Sequence, residues 1–323
     1  MNSSNSQTDW LSVLTISRCS VMREVVSEEG RFLMVVMTSL YDELLAKLRQ
    51  HGVEPDPDHK DQHLLISREA ITQLIEAAKL CADDVVLEVG PGPGHVTREI
   101  CGKAGFVHAI ELDERFTPML SEVAGSCKNL EVAYGSALEV GWPREVNKFV
   151  ANPPYSILEP LLMQIIRAKN ITTVCMTIGE EYYRRCTAPS EHMTRTSLLT
   201  NGFFNVELVT MLDKDSFFPR SRERSVIMRL ARKDGKKSDF GMRKLASRII
   251  SMPNETVAGF LRNLIGENIK VNVRTLDLKS IPTVRSLGLD QSLEKTRLGE
   301  LDNTGITKVI KAVNALKRNF RHL

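Results

Sequence analysis

Asn152-Pro153-Pro154-Tyr155 follows the apolar run Phe149-Val150-Ala151, and no other stretch of the chain is better equipped for chemistry. An apolar run that stops at Asn-Pro-Pro-aromatic reads as a buried strand with an abrupt carboxyl end. Neither proline can donate to a sheet ladder, and Pro153 drives Asn152 toward an extended backbone. The stiff corner that results presents a carboxamide, a carbonyl released from pairing and an aromatic ring. Those groups suit a flat heterocycle with an exocyclic amine: two acceptors for its N–H bonds and a ring to stack on. A proline turn that merely closes a strand has the same sequence, so the surroundings must decide.

A second constellation precedes it. Glu88-x-Gly90-x-Gly92-x-Gly94 joins the apolar run Val85-Val86-Leu87-Glu88-Val89 to a helical pattern that begins near Val96. Glycines there permit tight turning and close backbone approach to a ligand. Glu111 closes the next apolar run, at the offset of about 20 residues where a carboxylate meets a ribose hydroxyl pair. A dinucleotide prefers G-x-G-x-x-G. The spacing here is similar to that of class I methyltransferases, which bind S-adenosylmethionine at this loop. Ser136 follows the third strand, where those enzymes commonly place an acid to accept from the cofactor's adenine amine. A serine accepts more weakly than a carboxylate.

The elements that must position these groups alternate. Strands are expected at Val85–Val89, Phe106–Ile110, Leu130–Tyr134, Lys148–Ala151, Val174–Ile178, Val206–Leu212 and Ser225–Leu230, with helical stretches between most of them. That order implies an α/β fold with a mostly parallel seven-stranded sheet covered on both faces. Residues 1–60 are expected to be a partly disordered extension ending in a short amphipathic helix (Leu40, Leu44, Leu45, Leu48), and Met37 is a candidate start. Residues 61–233 form the sheet domain. From 234 to 323 the composition shifts to short helical patterns studded with Lys and Arg, read as a small helical domain.

The bulk numbers exclude little. A length of 323 residues, 42% hydrophobic and 26% charged, describes an ordinary globular protein, and a net charge of +3 demands no nucleic acid. Six scattered cysteines without C-x-x-C pairing fit buried thiols in a reducing cytoplasm, and neither a disulfide framework nor a metal site is expected. The run Phe32–Met37 is too short to span a bilayer. Charge is clustered, however. Arg220, Arg222, Arg224, Arg229, Arg232, Lys233, Lys236, Lys237, Arg243, Lys244 and Arg248 form the densest basic stretch, a candidate surface for phosphates.

Taken together, Gln62-His63-Leu64-Leu65, Glu88 to Gly94, Glu111, Asn152 to Tyr155 and Phe217 to Leu230 resemble the small-subunit ribosomal RNA adenine N6,N6-dimethyltransferases. The likeness runs from about Leu40 to Leu323. It is strongest to the archaeal branch, through Asp61-Gln62-His63 and Val150-Ala151-Asn152. It implies a class I methyltransferase fold of the Rossmann-like kind and S-adenosylmethionine at His63, Leu65, Gly90, Gly92, Glu111, Ser136 and Asn152. It further implies a target adenine held by Asn152 and the Pro153 carbonyl and stacked on Tyr155. Phe217 or Phe218 is expected to close the other face, and Arg220 and Arg222 to meet RNA. The implied partner is small-subunit ribosomal RNA in an immature subunit, met by a monomer. Asn-Pro-Pro-Tyr also occurs in DNA amino-methyltransferases and release-factor glutamine methyltransferases. Against these stand the Gln-x-x-Leu segment, Phe217-Phe218-Pro219 and the lack of a target-recognition insertion. A ribosome-assembly factor with little catalysis, suggested by Ser136, is a further alternative.

Overall fold

A computed structural model describes residues 21–26, 32–37, 39–189, 193–233, 240–269, 289 and 291–320. Within the expected extension, β1 (Val21–Val26) pairs antiparallel with β2 (Phe32–Met37). Helix α1 (Leu40–Gln50) starts where the Ser39 hydroxyl accepts from the Asp42 N–H, and it buries Leu44 and Leu48. A short strand β3 (Leu64–Leu65) leads into α2 (Arg68–Ala78), which Ser67 caps through the Ala70 N–H.

The alternating region follows: β4 (Val85–Val89), α3 (His95–Cys101), β5 (Phe106–Glu111), α4 (Thr117–Ser126), β6 (Leu130–Tyr134), β7 (Lys148–Ala151), α5 (Leu158–Arg167) and β8 (Thr173–Gly179). After α6 (Glu180–Cys186) and α7 (Arg195–Phe203) come β9 (Phe204–Leu212), the two-residue β10 (Phe217–Phe218) and β11 (Ser225–Arg232). The main sheet has seven strands in the order β6-β5-β4-β7-β8-β11-β9. β4, β5, β6, β7 and β8 are parallel, and β11 runs antiparallel to both neighbours. All seven expected strands are present, some a residue or two longer.

Period-2 patterning sorts the sheet into two faces. Leu87, Phe149, Ala151, Val174, Met176, Val226 and Met228 point into one core, which also holds Leu161, Leu162 and Ile165 of α5. Val86, Val107, Val150, Cys175 and Ile227 point the other way, onto Ile71 and Leu74 of α2 and Val96 and Ile100 of α3. A one-residue slip in any strand would exchange the faces, so the register is firmly specified.

The carboxy-terminal helices α8 (Phe240–Ser251), α9 (Val257–Ile269), α10 (Gln291–Lys295) and α11 (Asn303–Phe320) do not build a separate core. Leu245, Ile249, Leu261, Val309 and Val313 join the same apolar cluster as the sheet face under α5. Helix α7 mediates the contact: a methyl group on Gly202 would lie 3.2 Å from Ala246 Cβ. Arg232 closes the seam from the sheet side. Its guanidinium caps α5 through the carbonyls of Ile165, Ala168 and Ile171 and stacks 4.7 Å from the Phe204 ring. Replacing Leu245, fully buried in this shared core, by Ala should cost about 2–5 kcal/mol. Urea unfolding of Leu245→Ala should stay a single transition with a lowered midpoint, because the helices and the sheet melt together.

Candidate active site

Strand β7 delivers Asn152 to the carboxyl edge of the sheet, beside β4, the place where open α/β sheets bind ligands. Asn152 Nδ2 donates to the His63 carbonyl at 2.8 Å, and Asn152 Oδ1 accepts from the Thr177 hydroxyl of β8. The carboxamide is thereby held at both ends. Among the described residues no hydrogen bond reaches the Pro153 carbonyl. Tyr155 is half buried against the core, and its hydroxyl donates to Ser225 Oγ at 2.8 Å. Burial keeps that phenol neutral, well above its ordinary range. Asp61, at φ 53°, turns back so that its carboxylate accepts from the Ser156 N–H at 2.9 Å.

The glycine turn faces this elbow. Gly90, at φ 72°, packs so closely that a methyl group on it would lie 3.4 Å from Pro154 Cδ and 3.9 Å from the Asn152 carbonyl oxygen. A methyl group on Gly92 would meet Leu64 Cδ2 at 3.2 Å, and one on Gly94 would lie 2.9 Å from Val123 Cγ2. Glu111 is buried beneath the turn. Its carboxylate accepts from the Gly92 N–H and the Asp113 N–H, both at 2.8 Å, leaving further lone pairs for a ligand hydroxyl. Leu112, directly after it, is 67% exposed, an apolar surface suited to a flat ring. Ser136 sits after β6, its hydroxyl accepting from the Leu138 N–H at 3.3 Å.

Residues 56–66 form a strap across this edge. Gln62 Nε2 donates to Asp113 at 2.8 Å, and Asp113 also binds Lys60 and Arg115. Arg115 is the leading cause that holds the Asp113 carboxyl well below its usual range. Strand β3 pairs antiparallel with β10, placing Leu65 opposite Phe217 and Leu64 opposite Phe218. His63 donates from Nδ1 to the Pro219 carbonyl at 2.9 Å, and His95 donates from Nε2 to the Leu65 carbonyl at 2.7 Å. His63, Gly90, Gly92, Glu111, Asn152 and Tyr155 therefore come together, with Ser136 at the neighbouring strand end; the Leu65 side chain, expected among them, is fully buried in the core opposite Phe217 and does not reach this edge.

Two expectations need correction. Phe217 is only 3% exposed, in the core beneath α2, and cannot close a pocket; pairing with β3 turns it inward. Phe218 is half buried against the cluster of Leu48, Leu64 and Phe116, edge-on to Tyr41 at 5.3 Å. The basic stretch is also less free than its composition implies. Arg220 pairs with Asp215 at 2.8 Å, Arg222 with Asp58 and Arg224 with Glu180 at 3.1 Å. Arg229 pairs with Glu207, Arg248 with Glu255, and Arg232 points inward. Lys236 and Lys237 lie outside the described residues. Thr177 and Ser225 were not legible as site residues; each is a buried hydroxyl in an apolar strand, which is the signal that could have found them.

Glu88, at the foot of the turn, is 1% exposed and has a carboxyl oxygen without a hydrogen-bond partner among the described residues. Burial, aided by the nearby Glu111 charge, pushes its pKa up to about 8. The folded protein thus holds this proton more tightly than the unfolded chain, whose glutamates titrate near about 4.3. Stability from this group is fully present below that value and declines as pH rises toward about 8. Glu88→Gln keeps the neutral form, so its melting temperature should exceed that of the wild type at pH 8 and converge with it toward about pH 5. Scanning calorimetry across that range checks the sign.

Comparison with known proteins accords with this geometry. The profile of the ribosomal RNA adenine dimethylase family matches residues 58–268. A protein of Methanopyrus kandleri named as a probable ribosomal RNA small subunit methyltransferase A is 35% identical over 194 residues, 59% of this chain and 69% of that protein. A protein of the same name from Pyrococcus abyssi is 30% identical over 250 residues, 76% of this chain and 87% of its own length. In fold, the chain is similar to a dimethyladenosine transferase from Plasmodium falciparum, with a TM-score of 0.56 at 24% identity over 76% of this chain and 96% of that one. A glycine turn facing an Asn-Pro-Pro-Tyr elbow on a class I sheet, matched over most of its length, makes this chain a member of the ribosomal RNA adenine dimethylase family.

Proposed function

We propose that this chain transfers methyl groups from S-adenosylmethionine to the N6 amine of adenines in small-subunit ribosomal RNA, two to each target base. One observation carries the reading: a methyl group built on Gly90 would lie 3.4 Å from Pro154 and 3.9 Å from the Asn152 carbonyl oxygen, so the glycine turn and the elbow adjoin. Family membership supports the substrate class.

The residues fit the cofactor. Gly90 and Gly92 hold the turn at positive φ, Glu111 offers acceptors to ribose hydroxyls, and Leu112 offers an apolar face. His63 and Ser136 complete the cradle. When bound, S-adenosylmethionine supplies a methyl group on a positively charged sulfur. In the first transfer Asn152 Oδ1 and the Pro153 carbonyl each accept one N6–H bond of the target; in the second, one acceptor holds the single hydrogen that remains. Adenine N6 is a poor nucleophile because its lone pair is delocalised into the ring. Two acceptors that draw the hydrogens out of the ring plane concentrate that pair on nitrogen. The amine becomes acidic as it alkylates, so no strong base is required and one proton leaves to water. Alignment and fixed dipoles do the rest. Glu180 is not needed as a base; it is engaged by Arg184 at 2.6 Å and by Arg224.

The adenine must be unpaired or flipped to enter. Tyr155 supplies a stacking face that tolerates any sequence context. The ion pairs of Arg220 and Arg222 are exposed, hence weak, and RNA phosphates can replace their carboxylates. The carboxy-terminal helices then dock on folded RNA by shape. The protein acts as a monomer on an immature small subunit in the cytoplasm, and no helix among the described residues is long and apolar enough to cross a membrane. Ser136 in place of an acid favours one second reading, an assembly factor with little catalysis. Calorimetry separates the two, since an assembly factor need not bind S-adenosylmethionine.

Asn152→Ala should abolish incorporation of tritiated methyl groups into immature small subunits. Full activity in that variant would sink the assignment. RNA affinity should fall linearly on a log–log salt plot, and the double change Arg220→Gln, Arg222→Gln should flatten the slope by about 1–2. Filter binding over a potassium chloride series measures it.

A further inference from the structure

We infer that Thr177 is a positioning residue for methyl transfer: its hydroxyl occupies one lone pair of Asn152 Oδ1 and fixes the other toward the incoming amine. The inference rests on the reaction proposed above.

Thr177 lies in the middle of β8, in the apolar run Val174-Cys175-Met176-Thr177-Ile178, and is fully buried. Valine would fill almost the same space there. Burying a hydroxyl in its place costs free energy unless a hydrogen bond is made, and the bond this one makes is to Asn152 Oδ1. The terminal torsion of an asparagine is broad and roughly two-fold, so an unrestrained carboxamide samples both amide orientations and a wide arc in each. Two contacts remove that freedom here. The His63 carbonyl accepts from Nδ2 and Thr177 donates to Oδ1, so a flip would set oxygen against the His63 carbonyl and break both bonds. A carbonyl oxygen has two lone pairs. With Thr177 on one, a single lone pair is left to accept from the target base, and its direction is set by the sheet. The Tyr155 hydroxyl, anchored on Ser225 of β11, lies beside the same threonine. Stacking ring and acceptor are thereby registered to two adjacent strands, β8 and β11.

The test compares Thr177→Val and Thr177→Ser with the wild type in methyl transfer to immature small subunits. Loss of one buried hydrogen bond predicts that kcat falls about tenfold in Thr177→Val. The KM for S-adenosylmethionine should stay within about twofold, because the His63–Asn152 contact remains, and Thr177→Ser should recover most of the rate. A valine variant that turns over like the wild type overturns the inference. So does a loss confined to cofactor KM, or one that serine does not restore. Side-chain amide NMR of Asn152 reads the restraint without turnover. Its two N–H signals should shift or broaden in Thr177→Val and return in Thr177→Ser, and unchanged spectra overturn the inference. A wild type that methylates no RNA counts against the proposed function alone, since the amide signals still decide the role of Thr177.

Discussion

The hydrogen bond from Asn152 to the His63 carbonyl spans 89 residues of sequence and fixes the relation between the strap and the sheet. Without it the carboxamide would be a polar group at the mouth of a cleft, free to rotate. With it, the segment that lies over the glycine turn and the elbow that ends β7 become one surface. The sheet makes this possible. Parallel strands β4, β7 and β8 stop at a common edge, so a turn, a proline corner and a buried hydroxyl arrive within contact of each other. Each of these is stiff for a local reason: positive φ at the glycines, ring closure at the prolines and strand packing around the threonine.

The acids at this edge are managed in different ways. Asp113 is surrounded by Lys60, Arg115 and Gln62 and stays charged. Glu111 is buried but takes two backbone N–H bonds, which oppose the upward push of desolvation. Glu88 has neither cation nor backbone donor, and burial pushes it toward the neutral form. The cleft therefore has a charged rim and a floor where negative charge is costly. Such a floor favours the arrival of a cationic ligand, which relieves the cost.

Much of this was legible in sequence because the signals were local. Short apolar runs alternating with helical patterns mark all seven strands of the main sheet, and the glycine turn and the proline elbow each carry a local signature. What was hidden depends on distant partners. Phe217 and Phe218 look equivalent as neighbours, yet pairing with Leu65 and Leu64 sends one into the core beneath α2 and the other, half buried, onto the opposite cluster of Leu48, Leu64 and Phe116. Arg232 and Arg222 look alike in a basic run, yet one caps a helix and the other reaches Asp58, 164 residues away. Thr177 reads as a minor break in an apolar strand until Asn152 is seen against it. The pairing of β1 with β2 is not legible in sequence, because the five residues between them, Ser27 to Arg31, hold no Asn-Gly or Asp-Gly pair.

The two-residue ladder between β3 and β10, reinforced by the His63–Pro219 bond, ties the strap over the glycine turn to the loop that carries the exposed arginines. The proposed cofactor cradle and the proposed RNA-facing loop are thus joined through backbone pairing. Thermodynamic linkage makes any such connection reciprocal: whatever factor an occupied cradle adds to the loop's affinity, an occupied loop returns to the cradle. Order of addition is then a matter of rates, and the ternary assembly is favoured over either binary one only if the joint piece has one preferred position.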